Sequence, residues 1–266
     1  MVSAAAGGRA SALSAGGVPP LLSTTELSWR VGGAHIVDNV SIDVAPGEFV
    51  AVIGPNGAGK TSLLNLLSGV RRPTAGRVLL RGRDITRVAV HKRAHLGIGR
   101  SFQSSAVFGS LTVAGNVRLA LQAHGGDNLR IWPRPAADRR LDARTAEILE
   151  QVGLASRSVT LSSTLSHGDK RKLELALMLA CEPALLLLDE PMAGVSAEDV
   201  PGLVAVIRSL NTGERGVVMV EHHVDVVLDL ADRIAVMHHG ALLVCSDPDT
   251  VMADATVQSA YLGEAL

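Results

Sequence analysis

Aromatic and cysteine side chains are scarce in this sequence. Only 2% of its 266 residues are Phe, Trp or Tyr, which leaves little material for a surface that stacks nucleic-acid bases on aromatic rings. The two cysteines, Cys181 and Cys245, are too few for a disulfide scaffold or a four-cysteine zinc site. This low cysteine usage favours a reducing compartment.

Neither sign of charge dominates. The 25 Lys and Arg residues are offset by 26 Asp and Glu residues, so the formal net charge is −1 at pH 7. Proteins that bind nucleic acid usually carry a basic excess. We therefore predict that nucleic acid is not a partner of this chain.

Long apolar runs are absent as well. The longest, such as Ala184–Leu188, fall far short of the roughly 20 residues that cross a bilayer. Residues 1–20 are rich in Ala, Gly and Ser but contain no continuous apolar segment, so we predict a disordered extension there rather than a signal peptide. Because 47% of the chain is hydrophobic, the remainder can build a sizeable core.

The hydrophobic pattern indicates an α/β fold. Short alternating segments between residues 21 and 52 predict antiparallel strands, and the apolar run Phe49–Ile53 predicts a strand buried on both faces, before a helix at Lys60–Ser68. Apolar runs at 185–188, 217–220 and 233–237 alternate with helical stretches, which predicts a parallel sheet. Further helices are predicted at Val113–Ala123, Arg139–Val152, Ala197–Leu210, Val224–Ala231 and Thr256–Leu262.

A glycine-rich segment follows the first buried strand. Residues 54–61 match the pattern G-x-x-x-x-G-K-[ST] between a strand and a helix, the context that a phosphate-binding P-loop requires. Its backbone N–H groups and the start of the helix favour an anion. Lys60 is expected to reach the β- and γ-phosphates, and the Thr61 hydroxyl to bind Mg²⁺. The alternative is a glycine-rich turn with an incidental lysine.

Two adjacent carboxylates end a later apolar strand. Asp189 and Glu190 follow Leu185–Leu188, and an aspartate at this position in P-loop proteins reaches the Mg²⁺ beside Thr61. Glu190 is then the candidate that orients and deprotonates the attacking water. Taken alone, this segment is also compatible with an ordinary strand followed by a charged turn.

A third segment lies about one helix before that strand. Ser166 precedes a charged and then periodically apolar stretch, a pattern typical first of all of a helix N-terminus. Because it lies between the glycine-rich loop and the strand that ends in Asp189 and Glu190, it is also a candidate part of the same site.

Together these segments resemble the ATP-binding cassette of ABC transporters. The chain contains Walker A at 54–61, a Gln loop at 101–103, a signature at 165–169, Walker B at 185–189 with Glu190, a D-loop at 193–196 and a switch histidine at His222. The segments GIGRSFQ, DEPMAGVS, MVEHHVDVV and YLGEAL further resemble the branched-chain amino acid and amide uptake subfamily.

The resemblance implies the fold and the domain organisation. It implies a P-loop NTPase with a parallel-sheet core, an antiparallel β subdomain and an α-helical subdomain. The ABC nucleotide-binding domain would occupy residues 21–266, with the helical subdomain at roughly 100–180.

The resemblance also implies a role for each motif residue. Asp189, Thr61 and Gln103 would hold Mg²⁺, and Gln103 would also link the site to a membrane partner. Glu190 would be the general base, and His222 would contact the γ-phosphate. Ser166 and Gly168 would act on the γ-phosphate bound by a second cassette. The phosphate cradle would consist of Gly54, Asn56, Gly57, Gly59, Lys60, Thr61 and Ser62.

Three positions depart from the family pattern. The signature usually reads Leu-Ser-Gly-Gly-Gln, and here His167 and Asp169 replace the first Gly and the Gln. His167 resembles the urea-type branch, and Asp169 places a carboxylate near a triphosphate, which is expected to weaken the closed dimer. The aromatic residue that usually stacks on adenine aligns with Val31, while Trp29 is expected to pack on the β subdomain.

The resemblance implies an ATP-hydrolysing motor subunit of an ABC importer, for branched-chain amino acids or related small polar solutes. Its partners would be transmembrane permease subunits, a second ABC ATPase subunit (a related cassette or a second copy) and, indirectly, a substrate-binding protein, at the cytoplasmic face of the cell membrane. The alternatives are a urea or amide importer of the same subfamily, a non-transport ABC ATPase in an assembly or repair complex, and a regulatory cassette with little hydrolysis.

Overall fold

The computed structural model describes residues 19–101, 107–125 and 135–262. The extension predicted at residues 1–20 lies outside these ranges except for its last two residues, and Gln103 lies outside them as well. In chain order the elements are β1 (Leu22–Val31), β2 (Ala34–Val40), β3 (Asp43–Val44), β4 (Phe49–Ile53), α1 (Lys60–Ser68), β5 (Ala75–Leu80), β6 (Arg83–Asp84), α2 (Val90–His95), β7 (Ile98–Arg100), α3 (Val113–His124), α4 (Pro135–Gln151), α5 (His167–Leu179), β8 (Leu185–Asp189), α6 (Val200–Leu210), β9 (Gly216–Val220), α7 (Val224–Leu230), β10 (Arg233–His238), β11 (Ala241–Ser246), α8 (Pro248–Ala253) and α9 (Ala255–Leu262).

A six-stranded sheet forms the centre of the fold. Its order is β11-β10-β4-β9-β8-β7, and every neighbouring pair is parallel except β10 with β11. Because the strands β4, β7, β8, β9 and β10 are parallel, their carboxyl ends lie along one edge of the sheet. All residues of β4, β8 and β9 are buried, as expected for strands covered on both faces.

The two faces of this sheet pack against different layers. Val50 and Val52 contact a core shared with α1 and the antiparallel strands. Phe49, Ala51 and Ile53 contact a second core that includes residues of α3 to α6. Because successive side chains of β4 point to opposite faces of the sheet, this one strand contributes to both cores.

A smaller antiparallel sheet covers the α1 side. Its order is β2-β1-β5-β6, with β3 pairing to β1. The pairing of β1 with β2 shifts register twice around Trp29, and such bulges break the simple alternation of faces. Trp29 is partly buried against the adjoining core, with the Arg71 guanidinium 5.8 Å from its ring centre, whereas Val31 is 51% exposed. Their side chains therefore differ in environment although they are two residues apart.

A buried arginine holds the far end of α1. Arg93, on α2, is fully buried and donates hydrogen bonds to the carbonyl oxygens of Leu66, Leu67, Thr86 and Val88 at 2.7–3.0 Å. Leu66 and Leu67 belong to the last turn of α1, so the guanidinium caps carbonyl groups that the helix cannot pair itself. Burial lowers the pKa of Arg93 to about 10.

The predicted elements and the observed ones differ mainly at their ends. The predicted helix at Lys60–Ser68 is confirmed, with Gly69 in the left-handed conformation as its cap. The helix predicted from Ala197 begins instead at Val200, where Pro201 suits the first turn of a helix. The strand β7 and the helices α2 and α8 were not predicted, because each is six residues or fewer and too short for a spacing of apolar residues to repeat. Among the described residues, no helix is both long and apolar enough to cross a bilayer.

Candidate nucleotide site

The candidate site lies at the carboxyl edge of the parallel sheet. The glycine-rich loop follows β4, Asp189 ends β8, and His222 follows β9 by one residue. The register of β8 with β9 places Asp189 directly beside Val220. Three segments that are distant in sequence therefore meet at this edge.

Close backbone packing requires glycine at two positions of the loop. A Cβ on Gly54 would lie 2.1 Å from the Met237 carbonyl oxygen, and one on Gly59 would lie 2.4 Å from the Ile36 carbonyl oxygen. Both residues also have positive φ, at 151° and 97°, which side chains disfavour. The loop is thus pressed against β10 and β2, while Asn56 at its tip is exposed.

The start of α1 suits an anion. Gly59 occupies the N-cap position and, as a glycine, has no side chain that could accept a hydrogen bond from the first turn. An uncapped helix start presents its backbone N–H groups and the positive end of the helix dipole. The nine-residue helix begins with Lys60 and Thr61, so its first turn also carries a cation and a hydroxyl. Phosphate groups fit this arrangement.

The Lys60 side chain lies folded across its own loop. Its Nζ donates hydrogen bonds to the carbonyl oxygens of Gly54 at 2.7 Å and Pro55 at 3.0 Å. Burial lowers the pKa of Lys60, while the negative charges of Glu190 and Asp189 oppose that shift. The ammonium is therefore held inside the loop within the field of both carboxylates, where a phosphate oxygen would compete for it.

The two carboxylate oxygens of Asp189 contact different partners. Thr61 Oγ1 donates to Asp189 Oδ1 at 3.2 Å, and Arg100 NH2 lies 3.4 Å from Asp189 Oδ2. Burial raises the pKa of Asp189, whereas Arg100 and Thr61 act in the opposite direction. A hydroxyl beside a carboxylate is an oxygen donor set that fits Mg²⁺, which usually takes its other ligands from water and substrate phosphates.

Glu190 and His222 form a second pair next to Asp189. His222 Nε2 lies 2.8 Å from Glu190 Oε1, and the two side chains are about 40% and 35% exposed. Glu190 has φ of +48°, and its N–H donates to the Val220 carbonyl at 2.9 Å. A left-handed conformation at a non-glycine residue costs on the order of 1–3 kcal/mol and is concentrated at functional sites. The turn directs this carboxylate away from the strand, toward solvent and His222.

Sequence reasoning missed two charged residues at this edge. Glu221 is 1% exposed, and its carboxylate accepts a hydrogen bond from the His222 N–H at 3.1 Å while lying 3.2 Å from His223 Nδ1. Arg100 is the other. The only sequence feature that could have indicated these two residues is their position, because Glu221 precedes His222 and Arg100 precedes the Gln-loop segment at 101–103.

The signature residues Ser166 and Gly168 lie at the start of α5. Ser166 Oγ accepts a hydrogen bond from the Asp169 N–H at 3.1 Å, which is the N-cap interaction that the pattern predicts. Gly168 packs against Asp199, whose carboxylate would lie 2.7 Å from an added Cβ. Within the described part of the chain, neither residue hydrogen-bonds to the glycine-rich loop.

The Asp169 carboxylate is partly neutralised within the chain. Arg157 Nε lies 3.4 Å from Asp169 Oδ2, and Lys172 Nζ lies 4.0 Å from Asp169 Oδ1. The side chain is 18% exposed, so screening by solvent is incomplete. The repulsion expected from this carboxylate near a phosphate is therefore reduced by two neighbouring cations.

Comparison with known proteins agrees with this geometry. A family model described as ABC transporter matches residues 37–193, which include both the glycine-rich loop and Asp189–Glu190. The chain belongs to the ABC transporter family. Its members hydrolyse ATP as subunits of transporters, so the cassette is an ATPase, and the predicted family, fold class and enzyme class are confirmed.

Individual relatives extend over nearly the whole cassette. The high-affinity branched-chain amino acid transport ATP-binding protein LivG of Escherichia coli is 36% identical over 92% of this chain and 99% of its own length. The lipopolysaccharide export system ATP-binding protein LptB of Acidithiobacillus ferridurans is 34% identical over 86% of this chain and 91% of its own. A crystal structure of an ABC transporter cassette in its ADP conformation superposes with a TM-score of 0.80 at 26% identity, covering 92% of this chain and 99% of that one.

Proposed function

We propose that the cassette hydrolyses Mg²⁺-ATP at the carboxyl edge of its parallel sheet and thereby drives a membrane importer. The observation that carries this proposal is the convergence of Lys60, the Thr61–Asp189 pair and the Glu190–His222 pair on one uncapped helix start. A cation, an oxygen donor set and a polarised carboxylate are the parts that phosphoryl transfer to water needs.

The glycine-rich loop and α1 hold the triphosphate. Lys60 exchanges its loop carbonyls for phosphate oxygens. Thr61 and Asp189 would hold Mg²⁺, and Gln103 would be a further ligand. When bound, the metal neutralises charge that develops on the phosphate oxygens. The residues assigned to the phosphate cradle are Gly54, Asn56, Gly57, Gly59, Lys60, Thr61 and Ser62.

Glu190 activates the attacking water. Its carboxylate projects from a strained turn beside Asp189, and His222 fixes its orientation through the 2.8 Å contact. Glu190 accepts the water proton as the water oxygen bonds to the γ-phosphorus. The bond between that phosphorus and the β–γ bridging oxygen breaks at the same time, which releases ADP and leaves inorganic phosphate. His222 then has its imidazole next to the departing phosphate, where it stabilises negative charge.

Ser166 and Gly168 serve a second cassette. Because they lie apart from the chain's own glycine-rich loop, they act across a head-to-tail dimer, on the γ-phosphate of the opposite site. The Ser166 hydroxyl accepts a hydrogen bond inside α5 and keeps its own proton free to donate. The second cassette is a related chain or another copy of this one.

Substitution at the signature separates this role from simple nucleotide binding. Ser166→Arg is expected to leave the ATP affinity of the isolated chain within twofold and to suppress hydrolysis at least 100-fold. Ser163→Arg is the matched control, since Ser163 is an exposed serine three residues earlier. Loss of ATP binding by the Ser166 variant, or equal hydrolysis by the two variants, would contradict the dimer role.

The permease subunits bind at a groove beside the site. A mostly apolar cavity of about 210 Å³ lies between α2, β7 and α5. Ile98, Leu177 and Met178 supply apolar walls, and Arg100 connects the cavity to Asp189. A membrane subunit seated there would touch β7, whose Arg100 contacts Asp189. Ala94→Arg at its rim should reduce co-purification with co-expressed permease subunits without changing ATP affinity, whereas His91→Arg on the same helix should do neither.

The solute is a branched-chain amino acid or a related small polar molecule that reaches the permease through a substrate-binding protein. This assignment is supported by LivG, which aligns over 99% of its length. The proposal includes a position at the cytoplasmic face of the cell membrane. Another relative, at 34% identity, belongs to an export system. The direction of transport is therefore measured together with the solute.

Uptake by cells decides the solute. In a strain that lacks the chromosomal gene, the wild-type chain should restore uptake of radiolabelled leucine, and Glu190→Gln should not. Restored uptake of urea or acetamide instead of leucine would favour the amide branch. No change in any of the three would refute the importer assignment for these solutes.

A further inference from the structure

A largely buried arginine lies next to the carboxylate that is assigned to Mg²⁺. Arg100 is the last residue of β7, the edge strand that pairs in parallel with β8. Its partner in the register is Leu187, two residues before Asp189. The Arg100 side chain is 11% exposed and that of Asp189 only 1%, so water contributes little to their surroundings.

The guanidinium of Arg100 bridges two parts of the site. NH1 donates to Asn65 Oδ1 and to Ser68 Oγ, each at 2.7 Å, and both acceptors belong to α1. NH2 of the same group reaches Asp189 Oδ2 at 3.4 Å. One planar group thus connects the helix that starts at the phosphate-binding loop with the carboxylate at the end of β8.

The residue after Arg100 secures the backbone of the same aspartate. Ser101 Oγ accepts a hydrogen bond from the Asp189 N–H at 2.9 Å, and the Ser101 N–H donates to the Leu187 carbonyl at 2.9 Å. Consecutive residues of one strand end therefore restrain both the main chain and the side chain of Asp189. Its Oδ2 faces Arg100, which leaves Oδ1 toward Thr61.

Fold stability alone gives a poor account of this arginine. Burial lowers the pKa of Arg100, so the folded protein bears a cost for keeping it charged. Its Nε is buried without a hydrogen-bond partner among the described residues, and an unsatisfied buried donor costs about 1–3 kcal/mol. A well-packed apolar side chain would avoid both costs.

We propose that Arg100 is a positioning residue for Mg²⁺ binding: it locks Asp189 in the rotamer that presents Oδ1 beside Thr61 and ties that carboxylate to α1. This inference rests on the proposed metal site. Outer partners that orient a ligating carboxylate typically alter metal affinity 10–100-fold when they are removed.

The sign of the effect separates positioning from simple charge. Removal of a cation near a Mg²⁺ site should tighten Mg²⁺ binding if only charge matters. Loss of the restraint should weaken it, because the freed carboxylate no longer holds the productive orientation. The two readings therefore predict opposite shifts for the same substitution.

The experiment compares Arg100→Met with Arg100→Lys. Affinity for a fluorescent ATP analogue is measured in EDTA and across a Mg²⁺ titration, together with the melting temperature. For Arg100→Met we expect metal-free affinity within twofold of wild type and a Mg²⁺ midpoint raised about tenfold. Arg100→Lys, which keeps the charge but not the planar fork, should recover part of the shift.

Arg215→Met is the matched control. Arg215 is another partly buried arginine, and burial lowers its pKa. It donates to the carbonyls of Pro183 and Leu210, away from Asp189. It should lower the melting temperature without moving the Mg²⁺ midpoint. If Arg100→Met does not fold, Asn65→Ala removes one anchor of the guanidinium and should raise the midpoint two- to threefold.

The outcomes are separable. An unchanged or lower Mg²⁺ midpoint in Arg100→Met, or an equal shift in Arg215→Met, overturns the positioning role while leaving the nucleotide site in place. If the wild-type chain binds the nucleotide equally well with and without Mg²⁺, the proposed metal site itself is wrong.

Discussion

The proposed general base can be tested by Glu190→Gln. The amide keeps the size of the side chain and a carbonyl oxygen that can accept from His222 Nε2, so the 2.8 Å contact is preserved. What is lost is the capacity to take a proton from water. General-base catalysis contributes about 10²–10⁴-fold, and one decade corresponds to roughly 1.4 kcal/mol. The barrier should therefore rise by about 3–5 kcal/mol.

ATP binding should respond differently from turnover. Removing a negative charge near the triphosphate lowers repulsion, so the affinity for Mg²⁺-ATP should stay equal or increase. With hydrolysis blocked, the ATP-bound dimer should accumulate, which size-exclusion chromatography detects. Phosphate release under single-turnover conditions and equilibrium nucleotide binding together separate the two effects. Phosphate release within threefold of wild type would refute the role of Glu190.

Two further variants sharpen this test. Glu182→Gln is a matched control, because Glu182 also has φ of +48° but its side chain is 65% exposed and makes no contact with the site; its turnover should equal wild type. The double variant Glu190→Gln/His222→Ala should be no slower than the slower single variant within about threefold, because residues that act as one unit are not additive. Full additivity would show that His222 works independently of Glu190.

Three other outcomes follow from the structure. Val31→Tyr should tighten ATP binding by up to about 1 kcal/mol, the low end of the range for base stacking, because Val31 is half-exposed at the end of β1. Val159→Tyr, on another exposed surface, should leave ATP affinity unchanged. An equal effect of both substitutions would contradict the alignment of Val31 with the adenine-stacking position. Arg93→Met should lower the free energy of unfolding, measured in urea, by at least about 1–3 kcal/mol, because buried carbonyl groups lose their donor. The exposed Arg87→Met should cost less than about 0.5 kcal/mol, and an equally small loss in both variants would refute the capping argument. Burial raises the pKa of Cys245 to about 11 from 9.0, so iodoacetamide at pH 8 should leave this thiol unmodified in the folded chain. The free energy of unfolding should fall as the pH rises from 9 to 11, because the thiol ionises first in the unfolded chain. Rapid labelling without denaturant would contradict the raised pKa.

Local patterns were sufficient to find the contiguous segments of the candidate site. The loop after β4 and the carboxylates at the end of β8 each occupy one short segment, and the neighbouring residues predict the strand or helix that the structure has there. The reason for the glycines was only partly predictable. At Gly54 and Gly59 the structure shows close approach to the carbonyls of Met237 and Ile36, and no local pattern reveals which distant backbone comes near.

The interactions that sequence reasoning missed join distant segments. Arg100 lies 89 residues from Asp189 in sequence. The sequence alone does not distinguish a charged residue that contacts the site from one that is exposed to solvent. The environments of Trp29 and Val31 were also hard to predict from strand period, because bulges reset the alternation of β1. Bulges and buried ion pairs depend on tertiary packing rather than on composition.

The arginine at the far end of α1 has a consequence for the whole cassette. The amino end of this helix faces the phosphate site, and its carboxyl end is held by the Arg93 guanidinium. An anion at one end and a cation at the other both lower the energy of the same peptide dipoles. With a phosphate bound at its amino end, α1 would therefore carry a favourable charge at each end of its nine residues. A ligand that binds only the folded form stabilises it by mass action. Nucleotide bound at the amino end of α1 would therefore also protect the α1–α2 corner against unfolding, to the extent that the two ends unfold together.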